Sequence, residues 1–213
     1  MTSSPRSREV VRPTTHRYVG RFSSVKNDRM VHWESKLERD QIVLLEIDPD
    51  VVSFFEQPTP FYYEIDGKPR KYTPDFLVRR EAYDSIIEVK PSKFAESAEW
   101  SEHLRFLSQV VTDHGFQYVV ATEREIQREP RLRNAKRILR YRGCDVDQGL
   151  KAEILAVFDG YVGFSITGLE NEIGIDDLYP ETCALIAKGH LCVDLDEEFS
   201  RDALIRSRLG SGQ

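Results

Sequence analysis

The sequence predicts an α/β protein: a mixed β-sheet flanked by helices, followed by a small helical module that ends in a hairpin. Three observations carry this. Short β-rich runs and helix-period segments alternate through residues 31–121. The β-rich run at residues 116–121 is entered from a helical segment, the connection a parallel strand requires. Beyond residue 147 the pattern changes to three helical segments closed by a short β-rich pair.

Each element follows from local pattern. Residues 1–29 are rich in Ser, Thr and Pro, with seven bases from Arg6 to Arg29 and only Glu9 and Asp28 as acids. They read as an extended basic arm, either tracking DNA phosphates or simply solvated. Residues 31–46 read as a helix through Leu37, Leu44 and Leu45, ended by Asp48-Pro49-Asp50. Runs at 51–56 and 61–65 are strands, and Asp66-Gly67 is a hairpin turn. Residues 72–78 and 85–90 are two further strands, the second stopped by Pro91. Residues 95–111 form a helix with Trp100, Leu104, Leu107 and Val111 on one face, and His114-Gly115 ends it before the strand at 116–121. The first strands read as antiparallel and the last as parallel.

Residues 126–146 are a basic, helix-like connector carrying Arg131, Arg133, Lys136, Arg137 and Arg140. In the segment 147–213, helices are expected at 150–158, 167–172 and 178–188, then strands at 189–194 and 197–200. Three helices and a hairpin suggest a winged-helix-like module.

Composition sets the outer limits. The chain has 213 residues, enough for one large domain or two small ones, and 40% of them are hydrophobic, enough for a packed core. No apolar run approaches the ~20 residues that span a bilayer, and no apolar leader opens the chain. Cys144, Cys183 and Cys192 are odd in number and widely spaced, so a zinc-ligand pair or disulfide framework is not indicated. A cytoplasmic protein with reduced thiols is expected. The net charge is -6, and from Cys144 onward there are 14 acids against 5 bases, leaving 22 acids and 25 bases before it. A mildly basic front and an acidic back suggest parts with different partners.

The chemistry centres on Thr73-Pro74-Asp75-Phe76 and Glu88-Val89-Lys90. Side chains alternate along a strand, so Glu88 and Lys90 share a face, and a hairpin could bring Asp75 beside Glu88. Two carboxylates at strand ends make a hard-oxygen site suited to Mg²⁺. A lysine beside them can orient a water or stabilise developing phosphorane charge, which fits metal-assisted phosphodiester hydrolysis. The plain alternative is a surface salt-bridge ladder. Against it, Glu88 follows the apolar pair Ile86-Ile87, and Pro74 fixes the chain before Asp75.

Four motifs in order, Trp33-Glu34-Ser35-Lys36-Leu37-Glu38, Glu56-Gln57-Pro58, Tyr72-Thr73-Pro74-Asp75-Phe76-Leu77-Val78 and Glu88-Val89-Lys90-Pro91, resemble the TnsA family across residues 30–125. TnsA is the endonuclease subunit of Tn7-like heteromeric transposases. The resemblance implies a restriction-endonuclease-like nuclease domain, with Glu38, Asp75, Glu88 and Lys90 as the catalytic set. Asp75, Glu88 and Glu38 would then be the metal ligands, for Mg²⁺ with Mn²⁺ as an alternative. Glu34, one turn before Glu38, is the runner-up for that role. Gln57 and Lys93 are candidate DNA contacts beside the site, together with the five connector bases. His32 is a weaker candidate ligand. The implied partners are double-stranded DNA at the transposon ends, a TnsB-type transposase and a TnsC-type ATPase regulator. Acids crowd the helix that would enter a groove (Asp176, Asp177, Glu181) and the segment 194–198, so this module is expected to bind protein rather than DNA. Rival functions are a stand-alone restriction-like or repair endonuclease, and a catalytically silent DNA-binding adaptor.

Overall fold

The computed structural model describes residues 18–208. Most of the expected basic arm lies outside the described residues. In chain order, β1 (Gly20–Ser24) and β2 (Arg29–Trp33) form a hairpin, followed by α1 (Lys36–Ile47) and β3 (Val51–Glu56). A second hairpin pairs β4 (Phe61–Ile65) with β5 (Lys68–Tyr72). Then come β6 (Phe76–Arg80), β7 (Asp84–Val89), α2 (Ser92–Ala95), α3 (Ala98–Asp113), β8 (Gln117–Ala121) and α4 (Glu123–Ile126). The main sheet has the order β3-β6-β7-β8, antiparallel at its first two junctions and parallel between β7 and β8. The α2–α3 crossover is what lets that last pair run parallel.

Both faces of this sheet are buried. On one, Leu77 and Ile86 join Phe61, Tyr72, Leu107 and Val111 in a single cluster, with Tyr118 packed against it. On the other, Phe54, Phe76, Val78, Ile87 and Val89 are all buried. A strand covered on both sides needs apolar residues at successive positions, which is why β7 carries Ile86-Ile87.

Several segments differ from the sequence expectation for physical reasons. The β1–β2 hairpin occupies residues read as arm and helix start. Its turn is local polar chemistry: Ser24 Oγ accepts from Asn27 N–H at 3.1 Å, and Asp28 takes a left-handed φ of 48°. Gly20 lies under the Trp33 indole, where a Cβ would come within 2.2 Å of the ring. α1 begins only at Lys36, because Ser35 caps it by accepting the Glu38 N–H at 3.1 Å. It is also not amphipathic along its length. Asp40 is buried, and both of its oxygens are bonded, by Arg39 and Gln127. The expected strand 72–78 is two strands broken at Pro74, which has no N–H to give a ladder. The Asp66-Gly67 turn forms as expected, with φ of 50° and 71°.

Packing divides the chain into two units: one holds Asp50–Gln127 with the chain up to Leu45, the other Arg128 onward with Glu46–Pro49. In the second unit, α5 (Arg131–Ile138) leads through a 3-10 turn to α6 (Gln148–Val157), α7 (Ile166–Ile173) and α8 (Tyr179–Ala187). β9 (Leu191–Val193) and β10 (Ile205–Ser207) then pair antiparallel, with Phe164 bridging to Ile205. The last strand therefore lies beyond the expected 197–200, where Phe199 is instead buried. The Arg-rich helix is no free connector. Leu132, Ala135 and Ile138 are buried, and Asn134, 1% exposed, donates to the Leu195 and Glu197 carbonyls. Among the described residues no helix is long and apolar enough to cross a membrane, and the three cysteines are free thiols.

An ion pair helps anchor the first hairpin to the sheet. Arg29 reaches both oxygens of Glu56, at 2.6 and 3.1 Å, and His32 N–H donates to the same carboxylate at 3.2 Å. Glu56 is 5% exposed and Arg29 35%. Burial opposes the Glu56 charge, but Arg29 outweighs it and holds the carboxyl below its ordinary range. Glu56→Ala should therefore cost about 2 kcal/mol at pH 7, less than a fully buried pair because Arg29 can turn to water. A carboxyl lowered by folding stabilises above its unfolded pKa and loses that contribution as pH falls through the folded value. Urea denaturation of wild type and variant should show the gap at neutral pH and its closure in acid. Coincident midpoints at pH 7 would sink this account.

Candidate active site

The β6–β7 register builds the site. Phe76 pairs with Ile87, so one step further along the antiparallel ladder Asp75 stands opposite Glu88. Residues directly opposite share a face, and Lys90 shares it by strand alternation. Asp75 lies in the break after Pro74, off the ladder, and its carboxylate takes over a ladder function: Oδ2 accepts the Val89 N–H at 2.7 Å. Lys90 is fixed by its own N–H on the Ala121 carbonyl, 3.0 Å, which carries the parallel pairing one residue past β7. Just beyond it, the Glu123 carboxylate accepts both the N–H and the hydroxyl of Ser92, so the turn out of the site is held from α4.

The two oxygens of Glu88 are divided between two donors. Oε1 lies 2.8 Å from Lys90 Nζ, and Oε2 accepts the Tyr72 hydroxyl at 2.7 Å. Glu88 is 5% exposed, while Lys90 keeps access to solvent. The Lys90 ammonium also lies over the Trp100 ring, 5.3 Å from its centre. Trp100, Phe94, Leu37, Glu38, Val89 and Lys90 are among the residues around a cleft of about 380 Å³.

Glu38 reaches the centre from the first turn of α1. Its Oε2 accepts the Glu34 N–H at 2.8 Å, so the Ser35…Glu38 pair also acts as a reciprocal helix cap displaced by one residue. Glu34 is turned to Gln57 instead, accepting from Nε2 at 2.9 Å. Gln57 is buried and held at a left-handed φ of 44°, and its N–H donates to the Asp75 carbonyl at 2.9 Å. A non-glycine residue kept in that conformation costs on the order of 1 kcal/mol and persists only where surroundings impose it. Gln57 thus ties the Asp75 backbone to Glu34.

Electrostatics follow from this crowding. Burial, then the charges of Glu88 and Glu38, raise Asp75 well above the carboxylate range. Burial likewise raises Glu38, against its bonds to Glu34 and Ser35. Burial opposes the Lys90 charge, but Glu88, Asp75 and Glu38 together outweigh it and raise Lys90. The region holds more negative charge than Lys90 alone relieves. That excess, carried on crowded oxygen donors, fits a divalent cation bound by Asp75 and Glu88 with Glu38 alongside. Among the described residues no group of three His, Cys, Asp or Glu side chains is already placed as a ligand set. A cation would have to take the place Lys90 holds at Glu88.

The remaining candidates fall elsewhere. Lys93 is exposed on α2. His32 sits in β2 with its backbone on Glu56. In the second unit, Arg133 pairs with Glu198 at 2.7 Å, and Arg137 donates to the Phe199 carbonyl at 3.0 Å. Arg128, not singled out by the sequence, pairs with Asp196 at 2.6 Å. Arg133, Arg137, Arg140 and Lys136 line a cavity of about 360 Å³ with Glu129, while Arg131 opens α5. Sequence pattern assigned no role to Tyr72, placed at the start of a strand and of the family motif, nor to Trp100, placed on the apolar face of a helix. The signal available for the first was its position three residues before Asp75.

Residues 48–123 match the family model described as TnsA-like endonuclease N terminal. The span contains Gln57, Asp75, Glu88 and Lys90, while Glu38 lies before it. No curated protein matches the chain. The mixed sheet with its flanking helices fits a restriction-endonuclease-like fold.

A carboxyl raised by folding favours the folded state while protonated and opposes it once ionised. Stability from Asp75 is thus lost as pH rises from the ordinary carboxylate value to the raised one. Asp75→Asn, which keeps an oxygen for the Val89 N–H, should stabilise the chelated protein by about 1 kcal/mol at pH 8, and by much less at pH 4. Thermal melts in chelator at both pH values measure this. A variant less stable than wild type at pH 8 would show that the carboxylates are not crowded as described.

Proposed function

We propose, from the premise that residues 48–123 of this chain form a TnsA-like endonuclease N-terminal domain, that it is the DNA-cutting subunit of a Tn7-like heteromeric transposase. In this reading it is Mg²⁺-dependent, with Mn²⁺ able to substitute, and cuts at the 5′ ends of the element. The observation that carries the reading is Asp75 beside Glu88 with Lys90 on the same face, all inside the matched span. Asp75 and Glu88 would hold the metal, and Glu38 would complete the site or align its water. A divalent cation supplies Lewis-acid polarisation of the phosphodiester and a more acidic water.

The chain's own groups do the rest. Val89 N–H fixes one Asp75 oxygen, so the other is left to bind. Lys90, once off Glu88, would be free to orient the nucleophile and to stabilise charge on the phosphorane oxygens. Gln57 holds the Asp75 backbone and, with Lys93, is suited to contact the strand beside the cut.

In the second unit, Arg131, Arg133, Lys136, Arg137 and Arg140 provide phosphate contacts on α5, and the winged-helix-like helices with their hairpin provide surface for a TnsB-type transposase or a TnsC-type ATPase. The setting is the cytoplasm. α5 is built into this unit, so a truncation at residue 147 would strip cover from Leu132, Ala135 and Ile138. Charge reversal is therefore the cleaner probe of the division. Arg131→Glu with Arg140→Glu should weaken binding to duplex DNA similarly for all sequences and lower the salt slope by about one for each phosphate no longer neutralised. Unchanged affinity and slope would remove α5 from the DNA interface.

The decisive measurement is cleavage of a transposon-end duplex with Mg²⁺ and the cognate transposase partner. Wild type should cut at the 5′ end. Asp75→Ala and Lys90→Ala should lose at least about 10²-fold in rate while still folding and binding the partner. Variants that cut like wild type would make the centre structural.

A further inference from the structure

We infer that Tyr72 is a positioning residue for Glu88, holding one carboxylate oxygen in place while the other is exchanged from Lys90 to a divalent cation; this rests on the cation reading of the Asp75–Glu88 centre. Glu88 has two oxygens and two donors of different kinds. The Lys90 ammonium on Oε1 ends a flexible side chain that keeps access to solvent. It can swing away when a stronger cation arrives. The Tyr72 hydroxyl on Oε2 belongs to a ring locked in the core, 8% exposed, stacked on Phe61 at 6.2 Å and edge-on to Tyr118 at 6.5 Å. It cannot follow a moving carboxylate without disturbing that packing. The bond therefore fixes the rotation of Glu88 about its last torsion and keeps Oε1 on the side where Lys90 now sits.

The placement of Tyr72 makes this more than core hydrogen bonding. It is the last residue of β5, and only Thr73 and Pro74 separate it from Asp75. The same short segment thus supplies one carboxylate and the clamp for the other. A phenol beside a carboxylate also stays a donor, because burial and then the Glu88 charge push its pKa far above the working range. Tyr118 provides an internal comparison. Its hydroxyl is buried beside that of Tyr72, yet the donors on the Glu88 carboxylate are Tyr72 and Lys90.

The test is calorimetric Mn²⁺ titration of the full chain without DNA, for wild type, Tyr72→Phe and Tyr118→Phe, with thermal unfolding of each metal-free protein. Losing an outer-shell partner of a metal-binding carboxylate typically costs 10–100-fold in affinity. Tyr72→Phe should bind Mn²⁺ about tenfold more weakly. Tyr118→Phe should bind as wild type does. Both keep the ring that packs, and a titration run below the unfolding midpoint gives the same comparison if either melts early. Equal binding by wild type and Tyr72→Phe would overturn the clamp and leave the cation reading standing. Equal weakening by both variants would also overturn it, since a hydroxyl that does not bond Glu88 would then matter as much as the one that does. A wild type that takes up no Mn²⁺ would overturn both.

Discussion

Two carboxylates set directly opposite each other on neighbouring strands repel, and a sheet built only for stability would not place them so. Here the chain just before β6, one step past the Phe76–Ile87 pair, brings Asp75 beside Glu88, and Glu38 adds a third carboxylate from α1. The surrounding structure supplies restraint rather than relief. Val89 N–H, the Tyr72 hydroxyl and the Lys90 ammonium each take one oxygen. Behind them, the sheet is apolar on both faces, so the strands cannot slip to separate the charges without exposing Leu77, Ile86, Phe76 or Ile87. The hydrophobic core is what keeps an electrostatically unfavourable cluster in place, and such clusters are where a cation has most to gain.

The supports come from residues remote in sequence. Gln57, in a left-handed conformation after β3, fixes the Asp75 carbonyl, and Glu123 at α4 fixes Ser92 beyond Lys90. Arg29 and Glu56 hold the first hairpin at the same end of β3. The carboxylates are therefore bracketed on the chain by three separate polar ties, each made where a strand ends.

Sequence pattern revealed β3, β6, β7 and β8 because buried strands carry apolar runs bounded by turn residues; alternation put Lys90 on the face of Glu88, and a hairpin from the preceding strand offered Asp75. It did not reveal the β1–β2 hairpin. Arg21, Phe22, Ser23 and Ser24 do not alternate strongly, and the strand exists because Gly20 admits Trp33 and because Asn27 docks its side chain on the Phe54 N–H at 3.0 Å. It missed β5 because Lys68–Lys71 are exposed, leaving only register with β4 to define the strand. The Tyr72 bond was hidden for a similar reason. Nothing in a tyrosine's neighbours states which carboxylate, sixteen residues away, its hydroxyl will meet.

Net charge misled in a more instructive way. Counting from Cys144 gives 14 acids and 5 bases and makes the C-terminal part look hostile to DNA. The packing puts α5 in the second unit, and counting that unit, Glu46–Pro49 with Arg128 onward, gives 17 acids and 12 bases, which leaves 19 acids and 18 bases for the first. The balance is then -5 against -1, and most of the asymmetry disappears. The acids at 194–198 are not an unopposed patch either: Asp196 and Glu198 face Arg128 and Arg133, while Asn134 ties down the backbone between them. Exposed pairs of this kind contribute little to stability, but they cancel most of the field a phosphate would feel at a distance. What a partner meets is the charge left over after such pairing, so the choice between nucleic acid and protein at this unit turns on individual side chains such as Arg131 and Arg140 and not on the sum along the sequence.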